Sequence, residues 1–228
     1  MTCTASRSGG TVPAVKVTGL ELKASVQTVR LGSAAYRVVR PADPLTGWLV
    51  DRQICWNSFD GALDAHSFRA LTIAWAFAAR SPRTITYLPI ASDGTESTAL
   101  CLELVLVHHW LQLPASRWKS LRSRLGPGHV ETIVLPPSAY DGREDADSWY
   151  HRENRDRFSH SVAAGTLVLA GSRPTFERDL AQLVELVEDG PAELATLPDR
   201  HVCVELAAEL IHVELVGRRQ AMLGPAGE

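Results

Sequence analysis

Two adjacent histidines, His108 and His109, are the side chains in this sequence best placed to do chemistry. They end the most apolar stretch of the chain, which begins at Leu100 and alternates as a strand with apolar residues on both faces. Such a strand belongs in the middle of a sheet, and α/β proteins bind ligands where central strands end. Neighbours in a strand point to opposite faces, so we expect one ring to line a pocket. A neutral imidazole there could act as general base towards a hydroxyl, amine or thiol.

The alternative interpretation is that both rings lie at the edge of the core and bond to backbone carbonyls. Three further residues could contact a substrate: Trp110, directly after the pair, Ser116, in a helix predicted over Ala115 to Leu125, and Ser172. Gly171-Ser172 stands between a predicted strand and a predicted helix, where backbone donors and the helix dipole favour an anion. An ordinary turn is the alternative there, because no Gly-x-Gly-x-x-Gly or Gly-Lys-Ser sequence accompanies it.

A charged segment at 141–160 differs in character from the rest of the chain. Charges of both signs surround Trp149 and Tyr150 in it. Runs of this kind are usually solvated faces or mobile loops. The functional alternative is a lid, in which the aromatic pair closes over a bound substrate.

A metal site is not predicted. The four cysteines form no Cys-x-x-Cys pair and the eight histidines no His-x-x-x-His pair. His201 and His212 are too far apart to share one turn of helix, and Cys101 and Cys203 lie in apolar runs where a thiol behaves as a small hydrophobe. We therefore expect no disulfide, no structural zinc and no metal ligands.

The elements that would position these residues alternate between strand and helix. Asp64 can cap a helix whose apolar residues recur at spacings of three and four, and Ser81-Pro82 should end it. Later, a strand over Thr166 to Ala170 precedes a helix that Asp189-Gly190-Pro191 should end. Such strand–helix–strand units predict an α/β (or α+β) fold with a mixed central sheet and helices packed on it.

The stretch from Val202 to Val216 can be interpreted in two ways. It could be one long strand, or a strand to about Leu206 followed by a helix through Leu210 and Val213. We favour the strand followed by a helix.

Length and charge bound the class of protein. The chain has 228 residues, of which 45% are hydrophobic, with a net charge of −3. We expect a disordered tail over residues 1–10, a single domain over 11–218 and a flexible tail over 219–228. The balanced charge gives no footprint for nucleic acid or an anionic membrane, and no apolar run has the length of a membrane span or signal peptide. A cytoplasmic location is expected, whereas the oligomeric state is not predicted.

A family resemblance can be stated for about residues 59–125. Phe59 begins the sequence Phe-Asp-Gly-Ala-Leu-Asp-Ala-His-Ser-Phe-Arg-Ala-Leu, and a strand later ends in Leu-Val-Leu-Val-His-His before a helix with Ser-Arg-Trp. This pattern resembles the first lobe of the chloramphenicol acetyltransferase and condensation-domain superfamily, which carries His-His-x-x-x-Asp-Gly at a strand end. The resemblance implies that His109 is the general base of acyl transfer from coenzyme A or carrier-protein pantetheine. Leu113 and Pro114 replace the Asp-Gly of that motif.

Two classes of function follow from these residues. The first is a group-transfer enzyme of small-molecule biosynthesis, acyltransferase-like, with His109 or His108 as base. The second is a non-catalytic accessory protein, in which the histidines pack and a surface loop binds a protein partner. An acyl thioester is implied only for the first class, and no other cofactor is predicted.

Overall fold

The computed structural model describes residues 20–52, 59–91, 101–134, 157–196 and 201–223. These residues form twelve strands and four α-helices, with 3₁₀ turns at His109–Leu111 and Ala115–Arg117. The strands are β1 (Glu21–Leu31), β2 (Ala34–Pro41), β3 (Leu45–Asp51), β4 (Phe59–Leu63), β5 (Thr84–Leu88), β6 (Ile90–Ala91), β7 (Glu103–His108), β8 (His129–Val134), β9 (Ser159–Ala163), β10 (Thr166–Gly171), β11 (Cys203–Leu206) and β12 (Ile211–Leu215). The helices are α1 (Ala65–Arg80), α2 (Trp118–Arg122), α3 (Arg173–Thr196) and α4 (Arg218–Leu223).

Two mixed sheets with helices packed on them organise the described residues, which confirms the predicted α/β class. The first sheet has seven strands in the order β8-β1-β2-β5-β7-β10-β9, and the second has five in the order β11-β12-β4-β3-β6. Parallel pairs stand among antiparallel ones in both sheets. The second sheet has no counterpart in the sequence prediction, which expected one central sheet.

Strand β7 lies between β5 and β10 and is buried on both faces. Leu104 and Leu106 pack in the larger core with α1 and α3, whereas Val105 and Val107 pack on the opposite face. Trp118 of α2 covers that opposite face and is fully buried. The predicted central strand is thus confirmed, because alternating apolar residues need apolar neighbours on both sides of a sheet.

Glu103 interrupts the apolar pattern of β7, and its carboxylate is fully engaged. Tyr87 donates its hydroxyl to Glu103 Oε1 at 2.8 Å, and Thr166 donates to Oε2 at 3.3 Å. Arg122 of α2 lies 2.9 Å from the same Oε2. Burial and the bond to Glu103 raise the pKa of Tyr87, so the tyrosine stays a donor. The carboxylate therefore ties three strands of the first sheet to α2.

Helices α1 and α3 pack against each other in a core that includes residues of both sheets. Asp64 caps α1 as predicted, its carboxylate accepting the Ser67 N–H at 2.8 Å. Trp75 is fully buried and donates its indole N–H to the carbonyl of Phe176 at 3.0 Å. Most residues of α1 are buried, because a helix between two sheets has little circumference left for solvent.

Helix α3 continues past the point where the sequence predicts its end. Gly190 and Pro191 lie inside the helix, which runs on to Thr196. Gly190 is buried against the second sheet, and a Cβ there would lie 2.8 Å from a methyl group of Leu215. The glycine therefore serves close packing of helix on sheet and does not mark a helix end.

The segment from Val202 to Val216 is a β-hairpin. The strand predicted to about Leu206 is confirmed, whereas the helix predicted after it is wrong, because Ile211–Leu215 is a second strand. Strands β11 and β12 pair antiparallel around a turn in which Ala207, Ala208 and Glu209 all have positive φ. Non-glycine residues seldom adopt this conformation, and no Gly or Asn marks the turn in the sequence.

Strand β8 follows α2 in the chain but does not pair with β7. It crosses to the far edge of the first sheet and pairs antiparallel with β1. Val130 and Val134 of this edge strand are exposed. Local pattern identifies the strand, but its partner depends on contacts distant in sequence.

The predicted tails lie wholly or partly outside the described residues. Residues 219–223 belong to α4, whose Ala221 is fully buried, and the flexibility expected over 219–228 stays a prediction. Residues 1–10, 224–228 and most of the charged segment, 141–156, lie outside the described residues. The last part of that segment enters β9.

Asp179 of α3 holds the turn of the hairpin. Its carboxylate is buried and accepts the backbone N–H of Ala207 at 2.7 Å, and Arg178 lies 3.2 Å away. Burial raises the pKa of Asp179, while the bond from Ala207 and the charge of Arg178 oppose that rise. Helix α3 thus supplies the carboxylate that accepts a backbone N–H of the left-handed turn.

Two substitutions of Asp179 distinguish the contribution of its acceptor oxygen to stability from that of its negative charge. We expect Asp179→Ala to lower the free energy of unfolding by about 1–3 kcal/mol, because it leaves a buried N–H unsatisfied. Asp179→Asn keeps an acceptor oxygen and should lose less. Urea unfolding measures both variants, and equal losses in the two would contradict the role of the Ala207 bond.

Candidate functional site

A cleft of about 540 Å³ opens where the parallel strands β7 and β10 end. His108 pairs with Gly171 in this register, so the segments after both strands emerge side by side. The end of α1 and the turn after it form the remaining wall. The residues lining the cleft are Ala79, Arg80, Pro82, His108, His109, Trp110, Ser172, Arg173 and Pro174. This is the place where open α/β sheets bind ligands, because the segments that leave adjacent parallel strands diverge there.

The two histidines lie side by side and both line this cleft. Their ring centroids are 4.7 Å apart, with the ring planes inclined by 42°. The expectation that they point to opposite faces is wrong, because the extended backbone ends at His108 and His109 begins a 3₁₀ turn. His109 is no longer in the strand, so its side chain does not alternate with that of His108 and the two rings lie on the same side.

His108 is the buried member of the pair, with 7% of its surface exposed. Its Nδ1 accepts the backbone N–H of Trp110 at 3.2 Å, so the neutral ring carries its proton on Nε2. Desolvation by burial, and then the neighbouring His109, lower the pKa of His108. The ring is thus kept as a neutral hydrogen-bond donor.

His109 and Trp110 are the exposed members of the site. His109 opens the 3₁₀ turn, and the Trp110 indole, 75% exposed, stands next to it at the rim of the cleft. The cleft therefore combines a buried donor, an accessible imidazole and an aromatic surface.

Ser172 lines the cleft, but its hydroxyl is committed to the start of α3. The oxygen accepts the Thr175 N–H at 3.3 Å and lies 2.7 Å from the Thr175 hydroxyl. Pro174 has no N–H, and the Phe176 N–H is bonded to the Ser172 carbonyl. The first turn of the helix consequently offers fewer backbone donors to an anion than Gly171-Ser172 alone suggests.

Two arginines also line the cleft. Arg80 and Arg173 both contact Glu177 Oε1, at 2.9 and 2.7 Å. One carboxylate therefore holds both guanidinium groups beside the cleft. Sequence inspection missed these residues, because the register of β7 on β10 and the position of α1 bring them together.

The structure brings four of the predicted site residues together: His108, His109, Trp110 and Ser172. Ser116 lies exposed in the second 3₁₀ turn and is not part of the cleft lining. Trp149 and Tyr150 lie outside the described residues, so their predicted contact with a substrate stays a prediction.

A second cluster was not expected from the sequence. His201, Cys203 and His212 place their potential metal-binding atoms within 4.8 Å of one another. The spacing rule for a helix does not apply to them, because the hairpin of β11 and β12 brings them together across two strands. The alternation of polar and apolar residues from 201 to 206 and from 211 to 215 is the sequence signal that could have indicated this.

Comparison of the chain with known protein families, with curated proteins and with solved structures gives no match. No helix within the described ranges has the length and apolar character needed to cross a membrane.

The buried histidine should make stability depend on pH. An unfolded chain protonates His108 near pH 6.5, whereas the folded protein, with its lowered pKa, resists protonation. Above pH 6.5 the ring is neutral in both states, so the free energy of unfolding does not depend on it. Below pH 6.5 the unfolded chain binds a proton that the folded protein does not, so the free energy of unfolding falls as the pH drops towards the folded pKa. We expect His108→Asn, which keeps an acceptor for the Trp110 N–H, to flatten the decline. Denaturant unfolding at a series of pH values tests this, and parallel profiles would contradict it.

Proposed function

We propose that the cleft at the ends of β7 and β10 is the active site of a group-transfer enzyme acting on a small molecule, with acyl transfer from a thioester as the reaction. The observation that supports this most directly is the pairing of two histidines in unlike environments on one cleft. One ring is buried and neutral with its proton directed from Nε2, and the other is accessible. Two titratable groups held in different environments are a common basis for dividing acid and base roles.

His109 is the base in this proposal. Its imidazole removes the proton from a hydroxyl or amine as that group attacks the carbonyl carbon of the thioester. The carbonyl electrons move to oxygen, and the Nε2–H of His108 stabilises the oxyanion. When the tetrahedral intermediate collapses, the C–S bond breaks and the protonated His109 returns its proton to the leaving thiolate. The product is an ester or amide together with the thiol.

The remaining walls suit a donor with an anionic end. The Trp110 ring offers an apolar surface for the acyl or pantetheine chain. Arg80 and Arg173 line the cleft, and guanidinium groups bind phosphate and carboxylate groups. The acyl donor proposed from the family resemblance, coenzyme A or carrier-protein pantetheine, has both features.

A non-catalytic role is the second candidate, and the exposure of Trp110 is the observation that favours it. An indole that is 75% exposed at the rim of a cleft is the kind of side chain that anchors a protein partner. In that case the histidines serve to shape the cleft, and the chain binds without turnover.

Coenzyme A release from a panel of acyl thioesters tests the enzymatic proposal, with water, simple alcohols and amines as acceptors. We expect His109→Ala to lower the rate about 10²- to 10⁴-fold, the usual contribution of a general base. His129→Ala is the matched control, because that histidine is exposed on the edge strand β8. Absence of turnover with every thioester, or equal rates in the two variants, would contradict acyl transfer by His109.

The role of His108 as donor requires a separate comparison. His108→Ala should lower the turnover rate about 10²- to 10³-fold, as loss of an oxyanion donor does. His108→Gln can place an N–H near the position of Nε2 and should retain more of the rate. The two variants are compared after their folding is checked by circular dichroism, and identical losses would argue against a donor.

A further inference from the structure

The hairpin of β11 and β12 separates its side chains into an apolar inner face and a chemically distinctive outer face. Its alternate residues Val202, Val204, Leu206, Ile211, Val213 and Leu215 are buried in the larger core. The residues between them, His201, Cys203, Glu205, His212 and Glu214, lie on the outer face and are exposed or half-buried. Strand geometry alone therefore collects two imidazoles, a thiol and two carboxylates on one surface.

The potential ligand atoms have spacings close to those of a metal site. The Nε2 atoms of His201 and His212 are 3.1 Å apart, and one nitrogen of each ring lies within 4.8 Å of the Cys203 sulfur. Tetrahedral zinc, with Zn–N of about 2.05 Å and Zn–S of about 2.3 Å, places nitrogens roughly 3.3 Å apart and nitrogen and sulfur roughly 3.6 Å apart. Small side-chain rotations would bring the three atoms to these values.

Carboxylates face the opposite side of both rings. His212 Nδ1 lies 2.6 Å from Glu205 Oε1, and His201 Nδ1 lies 3.4 Å from Glu214 Oε1. A neutral imidazole that donates from Nδ1 to a carboxylate has its lone pair on Nε2. The two Nε2 atoms lie 3.1 Å apart, so one ring donates its proton to the other, and a metal ion bound by both nitrogens would take the place of that proton. Carboxylates that orient metal-binding histidines in this way are a general feature of metal sites.

We propose that His201, Cys203 and His212 bind a divalent transition-metal ion of the zinc type. Two imidazoles and a thiolate suit Zn²⁺ or Co²⁺, whereas Mg²⁺ and Ca²⁺ prefer oxygen ligands. Three protein ligands leave a fourth tetrahedral position for water or another ligand, and the His201 side chain is 50% exposed. The site is independent of the cleft and of the function proposed for it.

The scaffold beneath these ligands is fixed in several ways. The register of the hairpin pairs Glu205 with His212 directly, and β12 also pairs with β4 in the middle of the second sheet. The buried inner face prevents a one-residue slip, which would exchange the two faces. The ligands therefore meet on a surface that the fold already determines, which reduces the cost of binding an ion.

Titration of the full chain with Co²⁺ under reducing conditions tests the site. We expect a thiolate-to-cobalt charge-transfer band in the near ultraviolet, together with tetrahedral d–d absorption, and displacement of both by Zn²⁺. Cys203→Ser should abolish the charge-transfer band. Cys101→Ser is the matched control and should keep it, because Cys101 lies in an isolated bridge to β3 and outside the ligand set.

The oriented carboxylate gives a graded second measurement. Glu205→Gln should weaken Zn²⁺ binding about 10- to 100-fold in competition with a chromophoric chelator, and Glu188→Gln, on the exposed surface of α3, should leave it unchanged. His201→Ala and His212→Ala should weaken binding more than Glu205→Gln does. Unfolding midpoints measured without metal show whether each variant is folded, and Zn²⁺ should raise the midpoint of wild type but not of Cys203→Ser.

Three outcomes would overturn the proposal. A cobalt spectrum that is unchanged in Cys203→Ser would place the ion elsewhere on the chain. Zn²⁺ affinity that is unchanged in His201→Ala and His212→Ala would do the same. Absence of Zn²⁺ and Co²⁺ binding by wild type would show that the two Nε2 atoms share only a proton.

Discussion

The burial of β7 on both faces is the constraint from which the arrangement of the candidate active site follows. A strand with leucines on one face and valines on the other must lie inside a sheet with apolar layers on both sides. The parallel register with β10 then sets His108 beside Gly171. Because α3 starts two residues later, its first turn and the histidine pair share one cleft. Helix α1 contributes to the apolar layer on the leucine face of β7, and its last residues line the same cleft.

Patterns with a short range were predictable from the sequence. Asp64 and the apolar spacing after it predict α1, since capping and amphipathicity are properties of neighbouring residues. The alternation around Leu104 and Val105 likewise predicts a central strand. The candidate site was predictable in part, because the end of such a strand is where ligands bind, and four of the proposed side chains do lie together.

The remaining features depend on contacts between distant segments. Gly190-Pro191 would end an isolated helix, but close packing on Leu215 uses the glycine and the helix continues. The hairpin turn has no typical turn residues, and its conformation depends on a carboxylate 28 positions earlier in the chain, that of Asp179. The possible metal ligands depend on that hairpin in turn, so a search by helical spacing could not find His201 and His212 as a pair.

The left-handed turn at Ala207, Ala208 and Glu209 has a consequence for the order of folding. Each non-glycine residue in this conformation costs roughly 1–2 kcal/mol, so the connection opposes closure of the isolated hairpin. The bond between Asp179 of α3 and Ala207, and the pairing of β12 with β4, offset that cost in the folded protein. The second sheet should therefore be completed late, its outermost strand joining a nearly finished molecule.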